Sequence, residues 1–136
     1  MGIRQRKPEE ALMFEILLWL YMANAVLLIN HEIDSAYWKE WELFKLPGGI
    51  TGFLIIHFPL LFLILYGLLE VYKQSGTGLI YSLVLSIVGI GAFCIHMVFI
   101  KLGKDEFKIP ISILILVSTL LVSIVQGAIT ITLMMK

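Results

Sequence analysis

Four long apolar stretches constrain the fold of this chain more than any other feature. Each has the roughly 20 residues that a helix needs to cross the hydrocarbon core of a bilayer. They cover residues 11–30, 50–72, 79–100 and 109–135. With a mean hydropathy of +0.96 and only 15% charged residues, the composition excludes an ordinary soluble domain. We therefore predict an all-α fold: an integral membrane four-helix bundle that runs up-down-up-down.

The remaining residues form short connections, so we expect one transmembrane domain over residues 1–136. The apolar stretches show no alternation of period two, and lipid offers the backbone no hydrogen-bond partner, so helices are favoured over a barrel. The segment 31–46 is polar and aromatic and contains no glycine or proline. This composition predicts either that the first helix continues through the segment or that a separate helix lies along the membrane interface. In both cases Pro47 ends the helix.

The orientation of the chain in the membrane is predicted from the distribution of its lysine and arginine residues. Lysine and arginine divide equally between the two sides, but Arg4, Arg6 and Lys7 cluster beside the first apolar stretch. Positive residues near a membrane helix favour the cytoplasm. We therefore expect a multi-pass protein of the cell membrane with cytoplasmic termini. No basic patch or phosphate-binding loop is present, so nucleic acid is not an expected partner.

The chain has three histidines, and the alternation of crossings brings all three near one membrane face. At 1.5 Å per residue, His57 and His96 lie roughly 7 to 11 Å inside that face. His31 joins them if the first helix shifts by one or two turns. Ionisable residues at membrane depth are costly and usually functional, so this layer predicts a site.

Helical spacing supports the convergence of these residues. His96 continues a stripe of small residues, Ser82, Ser86 and Gly89, which marks a helix-packing face, so it is expected to point into the bundle. His31 and Asp34 are three residues apart on adjacent helical turns. A histidine and a carboxylate at this spacing can share a ligand.

These observations predict a metal centre of zinc or iron, since imidazole and carboxylate suit both metals. The expected ligands are His31, Asp34, His57 and His96. A metal-bound water would be the nucleophile of a hydrolase acting on a lipid-like substrate. The candidate catalytic proton carriers are Glu32, Asp34 and Glu42.

Two other interpretations remain open at this stage. In the first, His57 and His96 are the axial ligands of haem b in a redox protein. In the second, the chain is a non-catalytic membrane subunit or small transporter whose histidines relay protons or pair with carboxylates. The lipid bilayer is the expected environment in every case, and a membrane protein partner or a homo-oligomer is compatible with each.

The run HEIDSAYWKEWELF at residues 31–44, followed by Pro47, Gly48, Gly49 and then His57, resembles an uncharacterised family of small four-span prokaryotic membrane proteins. The chain is also distantly similar to the HXXEE family, named for a His-x-x-Glu-Glu motif. Here Asp34 and Ser35 stand where that family has two glutamates. The resemblance implies a four-span membrane fold and no known reaction.

Overall fold

The computed structural model describes residues 7–104 and 108–136, and within them the chain is helical with no strand. Arg4 and Arg6, on which the orientation depends, lie outside the described residues. The helices are α1 (Pro8–Tyr37), α2 (Glu40–Leu43), α3 (Gly49–Tyr72), α4 (Gly76–Lys101) and α5 (Pro110–Met134). All but α2 are long and apolar enough to cross a membrane. The predicted all-α four-helix membrane bundle is confirmed.

The helix ends follow from local chemistry. Pro8 and Pro110 occupy the first turns of α1 and α5, where a missing N–H costs nothing. Glu9 and Glu10 complement the positive end of the α1 dipole. The Ser75 side chain caps α4 by accepting a hydrogen bond from the backbone N–H of Gly78.

Helix α1 is longer than a membrane crossing requires. Its 30 residues span about 45 Å, whereas the hydrocarbon core is about 30 Å thick. The extra length carries the helix past the end of the apolar stretch, through His31 and as far as Tyr37. His31 lies six residues before this end, at a depth comparable with that of His96, five residues before the end of α4.

The four long helices occupy the corners of a square in the order α1, α3, α4, α5. Each packs against its two neighbours, and α1 also contacts α4 across the diagonal. Helices α4 and α5 approach closely at Gly89, where an added Cβ atom would collide with the Ser123 hydroxyl. Small residues thus allow close packing between α4 and α5, as is common for helices packing in lipid.

A buried polar layer joins α1, α4 and α5 in the middle of the bundle. The Asn24 amide donates to Ser123 Oγ at 3.0 Å and to Gln126 Oε1 at 2.8 Å. Gln126 in turn donates to Ser82, whose hydroxyl lies 2.8 Å from that of Thr130. Because lipid provides no alternative partners, these bonds fix the rotation of each helix. His31 lies seven residues after Asn24, two turns along the same buried face of α1.

Candidate metal centre

After α1 the chain reverses direction, and this turn brings the carboxylate of Glu40 back to the bundle. Helix α1 ends at Tyr37, and Lys39 adopts a left-handed conformation with φ of 53°. One turn of helix, α2, follows, and its first residue, Glu40, is buried. Gly48, with φ of 93°, is the N-cap residue before α3, and glycine tolerates this backbone conformation. The chain thus places Glu40 against the end of α1 from which it has just departed.

Two histidines meet Glu40 at this end of the bundle. The rings of His31 on α1 and His96 on α4 pack edge to face, with centroids 4.5 Å apart. Both side chains are buried, at 3% and 2% exposure. One ligand atom from each of His31, Glu40 and His96 lies within 4.8 Å of the other two. We call these three residues the histidine cluster, and the group could hold a metal ion.

Backbone hydrogen bonding orients His96 for this role. Its Nδ1 lies 2.7 Å from the carbonyl oxygen of Ala92. A carbonyl only accepts, so Nδ1 carries the hydrogen and the lone pair of the neutral ring is on Nε2. Nε2 lies 3.6 Å from Glu40 Oε1. Metal-bound histidines usually donate their other ring N–H to such an acceptor, which fixes the ring and its tautomer.

The environment of Glu40 disfavours its ionised form when no cation is present. Burial raises the pKa of this carboxyl above its ordinary value of 4.5, and the charge of nearby Glu32 acts in the same direction. The Ser35 hydroxyl, His96 and His57 act in the opposite direction. A bound cation would act in the opposite direction to burial, lowering the pKa of this carboxyl and stabilising the carboxylate.

The third histidine pairs with a different glutamate. His57 Nε2 on α3 lies 2.6 Å from Glu32 Oε2 on α1, and His57 Nδ1 lies 2.6 Å from the carbonyl oxygen of Phe53. Because the carbonyl requires a hydrogen on Nδ1, the contact with Glu32 needs a further proton. The Glu32–His57 pair therefore shares one proton, either as an ion pair or as a neutral pair.

A small pocket opens beside both groups. It has a volume of about 140 Å³ and is lined by the polar side chains of Glu32, Glu40 and His57. Its other walls are apolar and are formed by Trp41, Phe44, Leu46, Phe53 and Ile56. This volume holds about five water molecules at their share of the liquid. The pocket therefore offers space for water or a small polar group next to the carboxylates.

The structure places the remaining predicted site residues away from the histidine cluster. Asp34 Oδ1 accepts a hydrogen bond from Trp38 Nε1 at 3.1 Å, one turn along α1. Glu42 is exposed on α2. Within the described residues, the carboxylate beside His31 and His96 is that of Glu40.

Sequence reasoning missed Glu40 and Ser35. The buried stripe of α1 runs through Leu28 and His31 to Ser35, so the spacing of four from His31 could have identified Ser35. No helical spacing or other sequence pattern indicated that Glu40 would be part of the site. It reaches the cluster only because Lys39 adopts a left-handed conformation that is uncommon for a residue with a Cβ atom.

The fold and the cluster define a class: a four-helix integral membrane protein with a buried His–Glu–His group near one end. The chain belongs to a family of unknown function, DUF6713, whose model matches residues 17–133. The match includes the histidine cluster and the Glu32–His57 pair. No curated protein matches the chain, and no solved structure does. Membership in an uncharacterised family agrees with the sequence resemblance, while the similarity to the HXXEE family stays a prediction.

Proposed function

We propose that this protein is a membrane metalloprotein whose ion binds to His31, Glu40 and His96. The observation that carries the proposal is the buried group of three ligand atoms within 4.8 Å of one another, contributed by three different helices. Burying imidazole and carboxylate groups away from water is costly, and a bound cation offsets part of that cost. The ligand chemistry suits zinc or iron.

The geometry favours an ion with an open coordination position. Ligands of a tetrahedral zinc, bound at about 2.0–2.2 Å, lie roughly 3.4 Å apart. His96 Nε2 and Glu40 Oε1, at 3.6 Å, already approach this separation. The ligand atom of His31 lies within 4.8 Å of the other two, so an inward movement of at most about 1.4 Å brings it to the tetrahedral separation. Three protein ligands leave a fourth position for water or substrate, which is the arrangement of catalytic zinc sites.

We further propose hydrolysis of an ester or amide in a lipid-like substrate. Water activated by the ion would attack the carbonyl carbon, and the bond to the leaving group would break. Glu32, which lines the pocket, would take the proton of the water and pass it to the leaving group. Asp34 and Glu42 are less suited to this role, because one bonds Trp38 and the other is exposed.

The pocket supports a substrate from the bilayer. Phe44, Leu46 and Ile56 line it and are also 42%, 41% and 51% exposed on the outer surface of the bundle. The pocket therefore passes from carboxylates on one side to a lipid-accessible apolar edge on the other. An amphiphile could insert its polar group while its chain stays in the membrane. With cytoplasmic termini, this end of the bundle would face outward.

Elemental analysis of the detergent-purified protein tests the metal proposal. His31→Ala and His96→Ala are each expected to bind one ion fewer per chain than the wild type. Asn30→Ala is the matched control, because Asn30 is exposed and its side chain donates to the Val26 carbonyl on its own helix. Metal-free, colourless and folded wild-type protein refutes the proposal, and a Soret absorption band replaces it with haem b.

A lipid assay tests the hydrolase separately. Purified protein is mixed with vesicles that carry an ester-linked or amide-linked lipid, and fatty acid release is measured. We expect release that a chelator abolishes and zinc restores. We also expect Glu32→Gln to reduce it by about a hundredfold or more, the range ordinarily contributed by a general base. Metal-loaded protein that releases no fatty acid from either lipid refutes the hydrolase and leaves the metal site intact.

A further inference from the structure

We propose that a groove between α3 and α4 holds one acyl chain of the lipid whose polar group enters the pocket beside Glu32 and His57. We call that pocket the carboxylate pocket and the adjoining cavity the apolar groove. This inference rests on the proposed function, because it gives the substrate of the proposed hydrolase a long acyl chain and a bound path for that chain.

The apolar groove is a separate cavity, deeper in the bundle than the carboxylate pocket. Its volume is about 130 Å³, and its lining contains no charged residue. The walls are leucine, isoleucine and valine side chains of α3 and α4, together with Tyr21 and Tyr81. Leu63, Val84 and Val88 line it and are also about half exposed on the surface of the bundle. The groove is therefore open to the bilayer along one side.

The carboxylate pocket and the apolar groove lie on one face of α3. This helix lines the pocket with Phe53, Ile56 and His57, and the groove with Leu60, Leu63 and Ile64. Each groove residue follows a pocket residue by seven positions, or about two helical turns, so the two sets point in the same direction. The step between them is about 10.5 Å along the helix axis. A chain that leaves the pocket along this face therefore enters the groove.

Helix α4 leaves space between the two cavities. Val84 and Leu85 line the groove, and seven residues further on, toward His96, the same face of α4 carries Gly91 and Ala92. A Cβ atom added to Gly91 would have no atom within 4 Å. The two smallest side chains of this face thus lie where a larger residue would close the passage from the pocket to the groove.

Two tyrosines close the far end of the groove. The Tyr21 hydroxyl donates to the carbonyl oxygen of Ile64 at 2.9 Å. A Cβ atom added to Gly67, one turn beyond Ile64, would collide with both Tyr21 and Tyr81. From Phe53 to Ile64 the path is about 16 Å long, close to the roughly 15 Å that one leaflet of the hydrocarbon core provides. The closed path therefore has the length of one acyl chain in a leaflet.

An acyl chain suits this path better than a partner helix or a polar solute. A helix with its side chains is about 10 Å wide, which is too wide for a cavity of this volume. Apolar walls disfavour a polar solute, which would lose its hydrogen bonds to water. A lipid also has the matching order of polarity, since its polar group lies near the membrane face and its tail points toward the middle of the bilayer.

Photolabelling of the full chain in phosphatidylcholine vesicles tests this path. The probes are two palmityl glycerol ethers, which hydrolysis does not cleave, with a diazirine near the ether oxygen in one and at the methyl end in the other. Labelled residues are identified by mass spectrometry of peptides, with chelator and with zinc. We expect the first probe to label Phe53 and Ile56, and the second to label Leu60 and Leu63.

Competition separates the groove from the lipid that surrounds the bundle. Labelling in the groove should saturate, and excess unlabelled ether should displace it. Labelling of Phe58 and Phe62, which are exposed on the other side of α3, should instead rise in proportion to the probe.

Variants that fill the path should remove the saturable labelling by the methyl-end probe. Gly91→Leu should reduce it about tenfold or more, because the new side chain occupies the passage, and tenfold corresponds to about 1.4 kcal/mol. Val88→Phe narrows the groove itself and should act in the same way. Ala128→Leu is the matched control, since Ala128 is exposed on α5, which does not line the groove. Helicity and elution volume establish that each variant is folded.

The outcomes separate this inference from the proposed function. Labelling by the methyl-end probe that does not saturate, or that misses the groove because another molecule fills it, overturns the inference and leaves the metal centre in place. Saturable labelling that persists in both folded Gly91→Leu and folded Val88→Phe also overturns it. Saturable labelling of a protein that binds no metal keeps the groove as a lipid site and overturns the proposed function alone.

Discussion

Replacing Glu40 by glutamine removes one ligand charge while nearly preserving the shape of the side chain. Glu40 is buried, and its Oε1 atom lies 3.6 Å from His96 Nε2. Neither histidine has to move when the amide replaces the carboxylate, so any change in metal affinity reports on the ligand itself. The uncharged amide binds zinc far less strongly than a carboxylate does.

The expected loss can be worked from the number of ligands. Apparent binding energies of four-ligand zinc sites are about 10–16 kcal/mol, or roughly 3 kcal/mol per ligand, which corresponds to about 150-fold in affinity. Free zinc at 100 times the wild-type dissociation constant should stabilise the wild type by about 2.7 kcal/mol. The same concentration should stabilise Glu40→Gln by only about 0.3 kcal/mol.

Thermal unfolding in detergent, with zinc and with a chelator, measures this difference. Glu42→Gln is the matched control, since Glu42 lies two residues further along the same short helix and is exposed. It should respond to zinc as the wild type does. Equal stabilisation of Glu40→Gln and the wild type by zinc would refute the assignment of Glu40 as a ligand. An equal loss of zinc stabilisation in Glu40→Gln and Glu42→Gln would show that the effect is not specific to Glu40.

Three further outcomes are expected from the same unfolding assay. In the presence of chelator, burial raises the pKa of Glu40, so folded protein keeps the proton to higher pH than unfolded protein does. Stability should therefore fall as pH rises from about 4.5 through the folded pKa, and less so in Glu40→Gln. Gly89→Leu should cost about 1–3 kcal/mol because α4 and α5 must separate, whereas Gly91→Leu, with no atom within 4 Å of its added Cβ, should be nearly neutral. Gln126→Leu should cost roughly 1–2 kcal/mol by removing the partner of Asn24, and an unchanged midpoint would contradict a structural role for the polar layer.

The convergence of the histidines could be predicted because it depends on helix geometry alone. Apolar stretches fix which segments cross the membrane, and a rise of 1.5 Å per residue then sets the depth of each histidine. The stripe of small residues before His96 predicted its burial, and its exposure is 2%. The contact between His31 and His96 required one additional fact, that α1 continues to Tyr37.

The partners of the histidines could not be predicted in the same way. Asp34 has the right spacing from His31 on a straight helix, yet it bonds Trp38 on the next turn. Glu32 follows His31 directly and therefore points to a different side of α1, where it meets His57 on α3. Which of several nearby carboxylates meets which ring depends on the rotation of α1, and contacts with other helices set that rotation.

The sequence by itself determined the class of protein, the helical architecture and the common depth of the three histidines, because hydrophobicity and helical rise are local properties. Only the tertiary structure decided which carboxylate completes the cluster. Glu40 is nine residues from His31 and reaches it through a left-handed turn at Lys39. That conformation is stabilised by the packing of α2 against α1 and α3, which no local pattern encodes.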